Sequence, residues 1–215
     1  MNLTDGTTST NPVLSAPSTA AAGHEPLRLG VILGSTREGR FGPVVADWFL
    51  SRAGARPDFT PELIDLAEVD LPAAPTARPG PAARAELAKV TPRLAAADAF
   101  VVLTPEYNHS FPAALKSLID WHYAEWQAKP VGFVSYGGIS GGLRAVEHLR
   151  QVFAELHAVT LRDTVSFHNA GALFDEDGRH TDPADCDAAA TTMLDRLAWW
   201  GLALREATAL RPYAA

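Results

Sequence analysis

Leu27–Leu33 (LRLGVIL) runs directly into Gly34–Gly42 (GSTREGRFG). A short apolar run that ends in a glycine-led turn suits a buried parallel strand. Phe41, Val44, Val45, Trp48 and Phe49 then recur at i, i+3, i+4, i+7 and i+8, the apolar stripe of a helix. The chain repeats this unit. Further strands are expected at Phe59–Leu66, Ala99–Thr104, Pro130–Tyr136 and, more weakly patterned, Val159–Phe167. Between them, Ala83, Leu87, Val90, Leu94 and Ala97 mark a second helix, which Pro92 should kink or split. Phe111, Ala114, Leu115, Leu118 and Ile119 mark a third, and Leu143, Val146, Leu149, Phe153 and Leu156 a fourth. Asp182 offers an N-cap, with Pro183 at the first position of a terminal helix through Met193, Leu197, Trp200 and Leu204. Five strands alternating with five helices imply an α/β fold: a doubly wound parallel sheet covered on both faces. Ligands of such sheets bind beyond the carboxyl ends of the strands.

The 215 residues suffice for one domain, and 47% hydrophobic against 20% charged residues can bury a sizeable core. The 18 basic and 25 acidic residues leave a formal charge of −7. That balance argues against nucleic acid as a partner, because no basic stripe exists to displace counterions from phosphates. Cys186 is the only cysteine, which excludes an intrachain disulfide and a cysteine-based zinc cage. No apolar run reaches the roughly 18 to 20 residues needed to span a bilayer. These features imply a cytoplasmic protein with no membrane partner and no metal site. Residues 1–25, rich in Thr, Ser, Ala and Pro, are expected to be a disordered leader, since they cannot offset their ordering entropy by burial. The domain then spans residues 26–215.

Three loops at carboxyl ends of strands carry the unusual chemistry. In Gly34–Gly42, glycines let the backbone wrap an anion, Ser35 and Thr36 supply hydroxyls, and the helix N-terminus aims N–H groups at it. Arg37 and Arg40 add charge-assisted contacts that fit a terminal phosphate monoester. The loop meets neither GxGxxG nor GxxxxGK[ST]. In Thr104–Pro112 (TPEYNHSFP), a proline-led loop holds N–H groups and the Tyr107 ring in place, as a flat aromatic ligand requires, while Ser110 can cap the next helix. In Ser135–Gly142 (SYGGISGG), the glycines permit close backbone approach and several convergent donors. Gly138–Gly142 also satisfies G-x-S-x-G between a strand and a helix. That leaves open a serine hydrolase using Ser140, with Asp175 or Asp177 and His168 or His180 as partners.

Taken together, GSTREGRFG, TPEYNHSFPAALKSLIDW and KPVGFVSYGGISGG resemble the NADPH-dependent FMN reductase family of flavodoxin-like proteins, over roughly Leu27 to Leu156. The resemblance implies a flavodoxin-like sheet of order 2-1-3-4-5, bound FMN, NADPH or NADH as co-substrate, and a homodimer or homotetramer. It places Ser35, Arg37, Arg40, Phe41 and Gly42 around the FMN phosphate. Pro105, Glu106, Tyr107 and Asn108 would run along the ribityl chain and isoalloxazine edge. Ser135, Gly137, Gly138, Ser140 and Gly141 would meet the pyrimidine end. Gly42 stands where family members carry a polar side chain, so one phosphate donor is missing. The implied activity passes hydride from NAD(P)H to flavin N5 and then to free flavin, a quinone or a similar small-molecule acceptor by ping-pong turnover. No side chain need act as acid or base. A non-enzymatic electron carrier is the alternative within flavoproteins, against which Arg37 and Arg40 argue.

Outside the loops, Trp199 and Trp200 are expected to pack, and Cys186 to be a small buried residue. Trp121, His122, Tyr123 and Trp126 suit either a cavity border, a subunit contact or a core edge. His109 reads as structural or peripheral. His168 and Asn169 fall near the ligand end of the sheet.

Overall fold

The computed structural model describes residues 24–214. The expected leader lies outside the described residues up to residue 23. The strands are β1 (Leu27–Leu33), β2 (Phe59–Asp65), β3 (Ala99–Pro105), β4 (Pro130–Tyr136) and β5 (Val159–Phe167). All pair in parallel in the order β2-β1-β3-β4-β5. The helices are α1 (Gly42–Gly54), α2 (Pro81–Ala96), α3 (Ala113–Asp120), α4 (Leu143–Glu155) and α5 (Ala184–Leu210). The alternation read from the sequence is therefore the chain's architecture, and its sheet order is the flavodoxin-like one.

Strand alternation sorts the core into two layers. Leu27, Leu29, Val31 and Leu33 of β1 and Val101 and Leu103 of β3 pack with Val45 and Phe49 of α1 and Met193 and Leu197 of α5. Ile32, Phe100 and Val102 point the other way, onto Val90 and Leu94 of α2, Leu118 of α3 and Leu149 and Phe153 of α4. The central strands β3 and β4 are buried along their whole length, which is why their sequences run apolar without alternation. At the sheet edge, β5 carries an irregularity between its pairings with Val131 and Phe133. Arg150 of α4 donates there to the carbonyls of Leu161 and Arg162. Among the described residues no helix is long and apolar enough to cross a membrane.

The helices hold four departures from expectation. Pro92 does not split α2, which runs unbroken from Pro81 to Ala96. One missing N–H bond near the C-terminal end is offset by the burial of Val90 and Leu94 on either side. Ser110 does not cap α3; Pro112 occupies that position, and Ser110 instead pairs with Tyr107 through the backbone. Asp182 does not cap α5, because the helix begins one residue later, after Pro183. Trp199 and Trp200 are exposed rather than packed, at 55% and 37%. The buried face of α5 is made by Ala190, Met193, Leu194, Leu197, Ala198 and Gly201, and the two indoles fall beside it. They stack edge to face on each other. Trp126, by contrast, is fully buried between Phe100 and Phe153, and His122 bridges Leu118 O and Thr91 within the fold. His122 and Trp126 are core, whereas Trp121 is partly buried, donating to Pro72 O, and Tyr123 is 50% exposed.

Candidate functional site

The sheet order sets the carboxyl ends of β1, β3 and β4 side by side, so the three glycine- and proline-rich loops meet around one cleft of about 310 Å³. Ser35, Arg37, Arg40, Phe41, Pro105, Glu106, Tyr107 and Gly137 line it. Tyr136, Ala170 and Gly171 also line it. The segment after β5 reaches the cleft because the β4 loop is sewn to it: Gly137 N–H donates to Phe167 O, while Asn169 N–H and Ala170 N–H donate to Gly138 O and Gly137 O.

The first loop is braced by side chains. Arg40 forms a bidentate pair with Asp65 at the end of β2, at 2.5 Å on both oxygens, and also donates to Ser35 O. Burial disfavours the Asp65 charge, but hydrogen bonds from Arg40 and the Ala67 N–H outweigh it and hold the carboxyl below its usual range. Arg37 makes no ion pair among the described residues and lies over the Tyr107 ring, 5.7 Å from its centroid. The cation available to an anion in the cleft is therefore Arg37. Ser35 is 1% exposed and its Oγ accepts from the Tyr136 hydroxyl at 3.0 Å. The hydrogen of Ser35 itself meets no acceptor among the described residues.

The second loop is a tight turn closed by reciprocal Tyr107–Ser110 backbone bonds, with Asn108 and His109 at positive φ. It projects the Tyr107 ring over the cleft while Asn108 and His109 face solvent. Glu106, its side chain 6% exposed, receives the Arg144 guanidinium and the Arg144 N–H at the start of α4. Burial disfavours its charge too, and bonds from Arg144 and Ser140 overcome that, leaving the carboxyl below its usual range. This pair ties the second loop to the third.

The third loop is backbone-built. Ser135 and Ser166 both donate to Gly141 O, and Gly141 N–H returns to Gly138 O. Gly141 and Gly142 sit at φ 59° and 85°, a region that disfavours any Cβ. The N–H groups of Gly138, Ile139 and Ser140 have no hydrogen-bond partner among the described residues. Gly42, Ser135 and Gly141 are thus supports beneath the cleft, and Gly138 and Ser140 lie on its rim.

Ser140 is not assembled as a nucleophile. Its hydroxyl oxygen accepts from Gly142 N–H at 3.5 Å and no histidine among the described residues reaches it, while His168 engages Ile139 O and Ser166, and His180 Nδ1 accepts from Asp182 N–H. Asp175 accepts from backbone N–H groups and Asp177 pairs with Arg179. A larger cleft of about 760 Å³ lies between α4, β5 and α5, but its charges are paired locally, Arg150 with Glu147 and Arg162 with Asp163.

Among the described residues, a cation without an ion pair, a buried hydroxyl without an acceptor and a helix N-terminus at one end, with flat aromatic and glycine walls beyond, fit a phosphomonoester carried on a planar ring. The sequence profile of the NADPH-dependent FMN reductase family matches residues 27–172, which contain every one of these groups. The chain belongs to that family. A probable NADPH:quinone oxidoreductase 1 of Oryza sativa is 33% identical over 178 residues, covering 76% of this chain and 86% of the rice protein. An NAD(P)H-dependent FMN reductase of Schizosaccharomyces pombe is 36% identical over 117 residues, 52% of this chain and 58% of its own. A quinone reductase of Escherichia coli is 34% identical over 144 residues, 64% of this chain and 74% of the relative. The match thus spans little more than half of the fission-yeast relative. Among solved structures, FerB, a flavoenzyme NAD(P)H:(acceptor) oxidoreductase from Paracoccus denitrificans, superposes with a TM-score of 0.63 at 22% identity, over 81% of this chain and 97% of FerB. That likeness concerns the fold.

Proposed function

We propose that this family member is an FMN-containing oxidoreductase that takes reducing equivalents from NADPH or NADH and gives them to a small-molecule acceptor, a quinone or free flavin. The observation that carries the reading is the end of the cleft where unpaired Arg37 stands beside Ser35, a buried hydroxyl with a hydrogen to donate. Relatives named as FMN and quinone reductases agree with it. Bound FMN would supply the two-electron chemistry that links the nicotinamide to the acceptor.

The chain's own residues bind and orient. Arg37, the Ser35 hydroxyl and the N-terminal amides of α1 would hold the phosphate. Arg40, committed to Asp65, would hold the loop in register and add only positive potential. Pro105, Glu106 and Tyr107 would border the ribityl chain and ring edge, with Tyr107 as the flat wall, while Asn108 faces solvent and serves the turn. The unpartnered N–H groups of Gly138, Ile139 and Ser140 would meet the pyrimidine end, where fixed donors favour negative charge developing on reduction. Gly137 would lie against the ring, and Ser135 and Gly141 would fix the shape of that loop from below. Exposed Ile139 and Leu143, at 88% and 42%, lie beside this rim and are the contact surface we assign to a homodimer or homotetramer.

The test is a visible spectrum of the purified protein followed by anaerobic NADPH in the same cuvette. Flavin bands that bleach on addition are the expected result. Flavin that stays oxidised would indicate a carrier, and protein that binds no FMN after incubation with it would end the reading.

A further inference from the structure

Position 42 carries no side chain, yet the space beside it is full. A Cβ built on Gly42 would come 2.5 Å from Ser35 Oγ, 2.7 Å from the Tyr136 hydroxyl oxygen and 2.7 Å from Leu33 Cδ1. The backbone of Gly42 is ordinary helix, so glycine is required here by space and not by φ. The group that takes the space is the Tyr136 phenol, which enters from the end of β4, on the same sheet face as Leu33 and Val45.

We propose that Tyr136 is a positioning residue for the phosphate end of the cleft. Its hydroxyl, in the space that a side chain at position 42 would need, donates to Ser35 Oγ and thereby leaves the Ser35 hydrogen to an anion in the cleft. Three observations converge on this. Tyr136 is 5% exposed and lines the cleft, its hydroxyl 3.0 Å from Ser35 Oγ. Ser35 is buried, and with its oxygen accepting from Tyr136 its own hydrogen is the group left to donate. Arg40, which could otherwise have supplied a second charged donor, is held by Asp65, so the side-chain donors left to an anion in the cleft are Arg37 and Ser35. Burial also pushes the Tyr136 phenol up to about 12, which keeps it a donor throughout the physiological range. Hydrogen bonds in such a chain strengthen one another, so a neutral serine with tyrosine behind it becomes a better donor to a phosphate than serine alone.

This inference deepens the FMN reading and rests on it, and the experiment separates the two. Dissociation constants for FMN and for riboflavin, which lacks the phosphate, are measured by quenching of flavin fluorescence with wild type, Tyr136→Phe, Ser35→Ala and the double variant. Tyr136→Phe should weaken FMN about fivefold while leaving riboflavin within twofold, because the Ser35 hydroxyl that remains is no longer oriented and strengthened as a donor to the phosphate. Ser35→Ala should do the same, and the double variant should be no worse than the worse single one, because both remove one relay. A Tyr136→Phe protein whose FMN-to-riboflavin ratio equals that of wild type overturns the proposal, as does one that loses both ligands equally, the mark of a merely structural role. Should Tyr136→Phe fail to fold, Ser35→Ala carries the decision by the same ratio. Wild type that binds neither flavin overturns the functional reading itself.

Discussion

The two glycine-rich loops at the mouth of the cleft reach similar rigidity by opposite means. The β1 loop is held by side chains: Arg40 on Asp65, Arg40 on Ser35 O, and Tyr136 on Ser35. The β4 loop is held by its own backbone and by that of the segment after β5, with Ser135 and Ser166 as struts beneath Gly141 O. A side-chain brace can be removed one atom at a time, leaving chain conformation intact and changing what the loop binds. A backbone brace is indifferent to side-chain chemistry but intolerant of added bulk. Each loop therefore has a characteristic way to break.

The largest effect is expected from bulk in the β4 loop. Gly141→Ala would force a Cβ into Ser166 Oγ and within 2.8 Å of His168 Cδ2, at a backbone φ of 59°. Overpacking together with a left-handed non-glycine residue should cost about 3 kcal/mol, or roughly 6–12 °C in melting temperature, readable by calorimetry. Retained stability in that variant would mean the loop is more plastic than its bond network implies.

Next come the cations of the β1 loop. Arg37→Ala with Arg40→Ala should release FMN altogether. The single variants should divide unequally: Arg37→Ala weakens FMN about tenfold or more with little change in melting temperature, whereas Arg40→Ala acts mainly on stability. Equal losses of FMN from the two single variants would refute the division of labour drawn from the Arg40–Asp65 pair.

Asp65→Asn should cost about 1–2 kcal/mol, between the values for exposed and for buried ion pairs. The pH dependence has a definite sign. The Asp65 carboxyl sits lower in the folded chain than in the unfolded one, so its contribution is present above the unfolded value and is lost as the pH falls through the folded one. Urea titrations at neutral pH and below pH 4 should therefore show a difference between wild type and Asp65→Asn that shrinks in acid. The smallest effect belongs to Gly138→Ala, where an added Cβ meets nothing within 4 Å. Stability should change by no more than about 0.5 kcal/mol, and a large loss would refute the open space found around Gly138.

Much of this is legible in the amino-acid sequence. The three loops stand out because glycine, proline and arginine at strand ends are costly without a reason, and each lies directly against the cleft or beneath it. Tyr136 does not stand out in the sequence, because as the last residue of PVGFVSY it reads as one more large apolar position in a buried strand. The signal that could have found it is the pairing of a side chain missing at Gly42 with a tyrosine of the strand phase that faces α1. Asp65 was passed over because a carboxylate ending a strand looks like ordinary solvent-facing polarity. Ala170 and Gly171 carry no chemical signal at all; they reach the site only because β5 runs beside β4.

Local pattern by itself determined the strands and helices, the parallel sheet and the loops that bear chemistry, since hydrophobic period and turn residues act over a few positions. Only the tertiary structure decided which arginine is free, which hydroxyl has a hydrogen to give, and that the last helix leaves two tryptophans exposed. Those outcomes depend on partners distant along the chain: 25 residues separate Arg40 from Asp65, and 101 separate Ser35 from Tyr136. No short-range rule encodes such a pairing, because a charge or a hydroxyl is satisfied by whichever group the packing of the sheet brings within reach.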